Sequence, residues 1–330
     1  MQDDLFHDAI EQLLGDLANS KVVRAIEEGG SSASLWSDIE ESGFANALLP
    51  EEAGGAGMGL ADAYPLFETC GRHVLPVPLA QTAIARALLL GANLNVPFGA
   101  IALATQPRGD DPIVVTFGAV ADWVLLSDGS TMRLYDVTEA ERSVNAGTVD
   151  ARLRWRAEVQ PKCELPAPAC GLRAIEATLL AAQMSGAIRR LLEMTLSYAN
   201  DRQQFGRSIG KFQVIQHDLA VMAQHAEAAR MAARMSCSTR GLLPVVLLTA
   251  VAKACTGEAV VPVTSIAHAI HGAIGITAEY DLQLFTRRLH AWRAAAGSEI
   301  YWHLLMGQAL VDSGMNTHEF ARTQLSPSCN

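Results

Sequence analysis

Twelve consecutive residues, Arg202-Gln-Gln-Phe-Gly-Arg-Ser-Ile-Gly-Lys-Phe-Gln213, hold the densest chemistry in the chain and lie between two long helical patterns. Arg202 is a forked donor that matches a pyrophosphate. Phe205 offers an aromatic surface, and the glycines let backbone come close to a ligand. Gln213 supplies an amide at the head of the next helix, where backbone N–H groups also face anions. A plain helical hairpin with a solvated arginine and a buried phenylalanine would use the same residues. A second loop, Ile270-His271-Gly272-Ala273-Ile-Gly275, reads on residues alone as a helix C-cap with a left-handed glycine. Glu176 lies four residues before Leu180, at the head of an apolar stripe, so it faces inward. It is either an interior carboxylate available for proton transfer or an ordinary first-turn glutamate favoured by the helix dipole.

The elements that would position these residues fall into three regions. Residues 1–97 read as helical: Ala9, Leu13, Leu14 and Leu17 have helical spacing, and Leu35 to Gly43, Ala61–Cys70 and Ala80–Leu90 add shorter helices around a glycine-rich loop after Pro50. Residues 98–170 change texture to short strand-like runs, IALAT, PIVVTF, DWVLLS, TMRLYDV and RLRWRAEV, followed by a proline-rich linker, PKCELPAPACG, whose prolines exclude helix. Residues 171–330 predict a four-helix bundle. Its first stripe is Leu180, Met184, Ala187, Leu191, Met194 and Tyr198, and its second is Ile215, Leu219, Met222, Ala226, Ala229 and Ala233. A third helix is expected over Pro244–Ala259, broken or kinked at Pro262, and a fourth over Leu284–Leu310. The fold class is therefore mainly α with a small β domain.

Composition narrows the function. With 330 residues, 50% of them hydrophobic and 18% charged, the chain can bury a large core and is not disordered. A net charge of −10 without a basic run argues against nucleic acid or an anionic membrane as partner. The most apolar stretch, Leu242 to Val263, is interrupted by Pro244, Lys253, Glu258 and Pro262, so no membrane span is expected. The acidic N-terminus does not resemble a signal peptide, which predicts a cytoplasmic protein. The six scattered cysteines lack metal-ligand spacing and read as reduced thiols.

Three segments together resemble the acyl-CoA dehydrogenase family, in the same order and at similar intervals: Leu48 to Ala63 (LLPEEAGGAGMGLADA), Tyr198 to Gln213, and Ile270 to Tyr280. The resemblance covers the two ends of the chain well and the middle poorly. It implies FAD as cofactor, an acyl-CoA thioester as substrate and an electron-transferring flavoprotein as electron acceptor. It also implies that Arg202, Gln204, Phe205, Ile209, Phe212 and Gln213 contact the dinucleotide half of a flavin bound mainly by a neighbouring subunit, hence an oligomer. His271, Gly272 and Ala273 would add backbone contacts, and Ser298 a further one. Where many relatives carry Gln, two residues before His271, this chain has Ala269.

The family removes an α-proton with a carboxylate base while the β-hydrogen leaves as hydride to the flavin, and such a base must be desolvated. At the commonest position for that glutamate this chain has Ala296. A minority of relatives, similar to isovaleryl-CoA dehydrogenase, carry the base on the first bundle helix, at the place matched by Glu176. The middle region lacks the Thr-Glu-Pro-like and Trp-Ile-Thr-like segments that cover the flavin ring; only Gly118 to Trp123 resembles the following strand. Two readings follow: a flavoenzyme subunit with Glu176 as base and FAD completed across an interface, or a non-catalytic subunit completing the site of a full-length homologue. The Glu279 to Arg288 run resembles members that degrade bulky substrates such as steroid side chains. A flavin-free helical acyl-CoA-binding or scaffold protein is the third alternative.

Overall fold

The computed structural model describes residues 2–106 and 111–326; Cys329 and the Pro107-Arg-Gly-Asp110 run that precedes the second expected strand lie outside the described residues. Five helices come first: α1 (Gln2–Leu17), α2 (Ser20–Glu27), α3 (Ala33–Ser42), α4 (Leu60–Arg72) and α5 (Leu79–Gly91). Seven strands follow: β1 (Ile101–Thr105), β2 (Ile113–Val115), β3 (Trp123–Ser127), β4 (Thr131–Asp136), β5 (Glu141–Val144), β6 (Ala151–Arg154) and β7 (Cys163–Pro166). They form two small sheets, ordered β1-β3-β4-β7 and β2-β6-β5. Among the described residues only the β1–β3 pair is parallel.

Two of these strands differ from expectation. The segment read as a linker contains β7, which pairs antiparallel with β4 at the sheet edge. Prolines exclude helix but are compatible with an edge strand, where a missing N–H leaves no ladder bond unmade. β5 escaped notice because all four of its residues are exposed, so it has no alternating pattern to read.

The bundle consists of α6 (Leu172–Asp201), α7 (Gln213–Ser236), α8 (Val246–His271), α9 (Leu282–Ala294) and α10 (Glu299–Ser313), with a terminal α11 (Thr317–Gln324). Pro262 does not break the third bundle helix, which runs on to His271. The carbonyl its ring leaves unpaired belongs to Glu258, an exposed residue whose side of the helix faces water, and packing against α6 and α7 holds the axis. α8 is long and apolar enough to cross a membrane, yet most of it is buried inside the bundle. The fourth expected helix is two, α9 and α10, separated at Ala295–Ser298. Ala296 and Gly297 both take left-handed φ values, +53° and +99°. Three successive alanines favour helix locally, and tertiary contacts at Gly297 override them.

α4 crosses α6 at close range, with glycines at the contact. A methyl group built on Gly186 would overlap the Glu68 carbonyl oxygen, and one on Gly71 would overlap the Gln183 carbonyl oxygen. Because α4 and α6 carry the first large core cluster, Gly186→Ala is expected to lower unfolding free energy by about 3 kcal/mol, read as a lower urea midpoint. A value near zero would contradict this crossing.

A buried ionic knot ties the three regions together. Arg288 on α9 pairs with Glu27 at the end of α2, and both are buried. Arg287 donates to the same carboxylate at 2.9 Å and to the Gly147 carbonyl at 2.9 Å. Arg288 also lies over the rings of Phe117 and Trp292, and the Phe117 N–H donates to Asp150 at 3.0 Å. The short β region is thus fixed against the head of the bundle, beside Glu176.

Candidate functional site

The corner between α6 and α7 is a two-residue hairpin turn. Gln203–Gln204 pairs with Arg207–Ser208, and Phe205 and Gly206 between them have φ of +51° and +79°. Two successive left-handed residues are the geometry of a type I′ turn, which favours Asn-Gly. Phenylalanine there is strained, a cost of order 1 kcal/mol, and its ring is 91% exposed. The plain-hairpin alternative expected a solvated arginine, which the structure shows, and a buried phenylalanine, which it does not. Phe205 meets Phe212 edge-on at 6.2 Å, and the Arg207 guanidinium covers the other ring at 4.2 Å.

Arg202 is the C-cap of α6, its backbone N–H donating to the Tyr198 carbonyl at 2.9 Å. Its side chain is exposed, and among the described residues no carboxylate or carbonyl holds its guanidinium. Gln204 and Gln213 are exposed, Gln213 being the first residue of α7. Ile209 donates its N–H to the Arg202 carbonyl at 2.9 Å and, with Phe212, is half-buried beneath the turn. The corner therefore offers a free guanidinium, free amides, a helix N-terminus and an uncovered ring, which fits the dinucleotide half of a flavin. Val214, Ile274 and Ile276 are exposed on the neighbouring segments.

The His271 loop lies at the same end of the bundle. Tyr198 stacks on the His271 ring at 4.4 Å, and its hydroxyl donates to the His271 carbonyl at 3.3 Å. The His271 imidazole is buried, with Nδ1 at 2.8 Å from the Ala267 carbonyl and Nε2 at 3.3 Å from the Tyr280 hydroxyl. Burial lowers its pKa, keeping it neutral. Its side chain locks the loop and is spent on the fold. Gly272 and Ala273 are exposed, so any contact this loop makes comes from the backbone after His271.

Glu176 occupies the opposite end. It is in the first turns of α6, 26 residues before Arg202, which at 1.5 Å per residue places the two about 39 Å apart. That exceeds the length of a flavin dinucleotide, so corner and carboxylate cannot serve the same flavin within one chain. Glu176 is buried, and no donor hydrogen-bonds its carboxylate among the described residues. Its helical neighbours Ala174 and Ala177 pack with Ala250, Ala254 and Trp302. Burial pushes the Glu176 carboxyl up to about 8, against the attraction of Lys253 and Arg173; Asp150 adds to the rise. Desolvation dominates, as a working general base requires. Ala296 packs on the same cluster, so the usual and the alternative base positions adjoin. Ser298, also here, is half-buried at the N-cap of α10 and lies with Glu176 rather than with the corner.

Lys253 and Asp150 belong to this site and were not singled out in the sequence. Lys253 is fully buried on α8 and donates to the carbonyls of Arg293 at 2.9 Å and Gly297 at 3.0 Å. A lysine inside the most apolar helix was the available signal. Asp150 carried none, because its place depends on how a β-region loop docks.

Comparison with known proteins gives the family and the fold. The family described as "Acyl-CoA dehydrogenase, C-terminal domain" matches residues 174–310. Acyl-CoA dehydrogenase IpdE2 of Mycolicibacterium smegmatis is 33% identical over 292 residues, 87% of this chain and 92% of that protein. Among solved structures, a chain of the Tcur3481-Tcur3483 steroid ACAD superposes with a TM-score of 0.79 at 24% identity, over 95% of this chain and 98% of that one. A chain of the ChsE4-ChsE5 complex of Mycobacterium tuberculosis gives 0.78 at 17%, over 94% and 97%. At those identities the structures establish a shared fold, while the IpdE2 match establishes kinship. The chain belongs to the acyl-CoA dehydrogenase family.

Proposed function

We propose that this chain is one subunit of a heteromeric, FAD-dependent acyl-CoA dehydrogenase that desaturates an acyl-CoA thioester between its α and β carbons. The observation that carries the reading is the exposed, strained and unpartnered Arg202–Phe205–Gln213 corner, about 39 Å along α6 from the buried carboxylate. A corner of that kind is complete only when it grips a flavin seated mainly in another subunit. When bound, FAD accepts the β-hydrogen as hydride. The guanidinium of Arg202 would neutralise diphosphate charge, Phe205 would offer an aromatic surface beside it, and Gln213 with the first amides of α7 would donate to its oxygens. Glu176 would take the α-proton of a thioester bound to this chain, with the neighbour's corner holding the diphosphate of the flavin that serves it. The burial that raises its pKa gives it the proton affinity that task needs. The pairing of subunits in the steroid ACAD and ChsE4-ChsE5 structures supports a homologous partner, and by family analogy an electron-transferring flavoprotein takes the electrons.

A second reading rests on a specific feature. Phe117, Trp292 and the Arg288–Glu27 pair fill the junction between the β region and the bundle, and Glu176 lines none of the five best-formed cavities among the described residues. In that reading the chain only completes a full-length homologue's site. The absorption spectrum tests the shared core of both readings: a flavin band is expected when the chain is purified with a homologue encoded beside it. A colourless mixture would leave a helical scaffold. Cytoplasmic residence and a bulky, steroid-derived acyl group are part of the same proposal, the latter supported by the fold shared with the steroid ACAD chain.

A further inference from the structure

We propose that Lys253 is the positioning residue of the Glu176 site: its buried ammonium pins the left-handed corner between α9 and α10 against the head of α6 and supplies the positive charge that Glu176 faces. The proposal rests on the reading of Glu176 as base.

The geometry is specific. α9 ends at Ala294, so the Arg293 carbonyl is one of the four at a helix C-terminus that lack an intrahelical partner. Lys253 supplies that partner at 2.9 Å and reaches past the helix end to the Gly297 carbonyl at 3.0 Å. The indole N–H of Trp302 donates to the same carbonyl at 3.2 Å. Two donors from two helices thus hold a turn that contains a left-handed alanine. Burying an ammonium costs several kcal/mol unless it is paired and hydrogen-bonded, and a methionine would fill the same space without that cost. A buried lysine here is explained if both its hydrogen bonds and its charge are used.

The charged groups facing Glu176 are Lys253 from α8, Arg173 from α6 and Asp150 from the loop before β6. Those facing Lys253 are Glu176, Glu299 at the head of α10 and Arg293 at the end of α9. Arg293 and Glu299 already pair with each other, which leaves the Glu176 carboxyl as the acid without a closer basic partner. Arg173 is drawn outward, its guanidinium over the half-exposed Tyr301 ring at 5.0 Å. Lys253 is therefore the main cation opposing the burial that raises the Glu176 carboxyl.

The test is Lys253→Met in the full chain. Removing an attraction that favours the carboxylate must raise the Glu176 midpoint. Its side-chain carboxyl 13C resonance, identified by its loss in Glu176→Gln, is expected to titrate about one pH unit or more above wild type. In the flavin-loaded complex the acid limb of the pH–rate profile should move upward by the same amount. A merely structural lysine would lower the melting temperature and leave both midpoints in place, and that result overturns the proposal. If Lys253→Met does not fold, the reciprocal measurement serves: in Glu176→Gln, the Lys253 side-chain 15N resonance should titrate lower than in wild type, and an unchanged midpoint overturns the proposal equally. Undiminished turnover in Glu176→Gln would instead overturn the base assignment, and the resonance midpoints would still report whether the two groups are coupled.

Discussion

Replacing Glu176 by Gln is expected to lower dehydrogenation in this chain's cleft by about 10²–10⁴-fold, the range a positioned general base contributes, while flavin content stays unchanged. Glutamine keeps the size of the side chain and cannot accept the α-proton. Flavin should be retained because, on this reading, the corner gripping that flavin's diphosphate belongs to the neighbouring subunit, while this chain's own corner lies at the far end of α6, about 39 Å away. The measurement is single-turnover flavin bleaching in a loaded complex whose homologous partner carries Gln at its own base, so that only this cleft reports. Turnover equal to wild type would remove Glu176 as base and leave the chain as the completing subunit. The filled junction around Phe117 and Trp292 makes that a real alternative.

Arg202→Ala is expected to have the opposite signature: loss of flavin without loss of fold. A hydrogen bond to a charged group contributes about 1.5–3 kcal/mol, so FAD affinity in the complex should fall by roughly 10–100-fold. Equilibrium titration of the apo complex with FAD, followed by flavin fluorescence, gives the number. The melting temperature of the chain should not change, since the Arg202 side chain is exposed and holds nothing in its own subunit. Equal affinity in mutant and wild type would show that the guanidinium faces no phosphate.

Much of this was legible from the residues. The strands from IALAT to TMRLYDV were readable as short β-branched or aliphatic runs between turn residues, and β1, β3 and β4 lie where those runs are. The stripe from Leu180 to Leu191 is buried as its spacing implies. The second stripe is buried only from Met222 onward, and its first turns, Ile215 and Leu219, are half-exposed beside the uncovered corner. Periodicity reports which face is apolar, but it does not say whether the same chain or a neighbour covers it.

What stayed hidden depended largely on tertiary contacts. Gly297-Ser298-Glu299 carries a local stop-and-restart signal that the run of three alanines before it obscured, and Lys253, 44 residues earlier than Gly297, binds the carbonyl of that turn. Phe205 illustrates the reverse. Its identity left a buried and an exposed role open, and only the left-handed turn beneath it settled that the ring points out. The motif marked Glu176 as a candidate, whereas its raised proton affinity comes from burial by helices distant in sequence.

The most direct test is the structure of this chain bound to its homologous partner and FAD. The Arg202 guanidinium should lie within hydrogen-bond distance of the diphosphate of a flavin whose ring rests in the other subunit. Finding that same guanidinium in solvent, with every flavin held wholly inside a single subunit, would contradict the shared site on which the functional assignment stands.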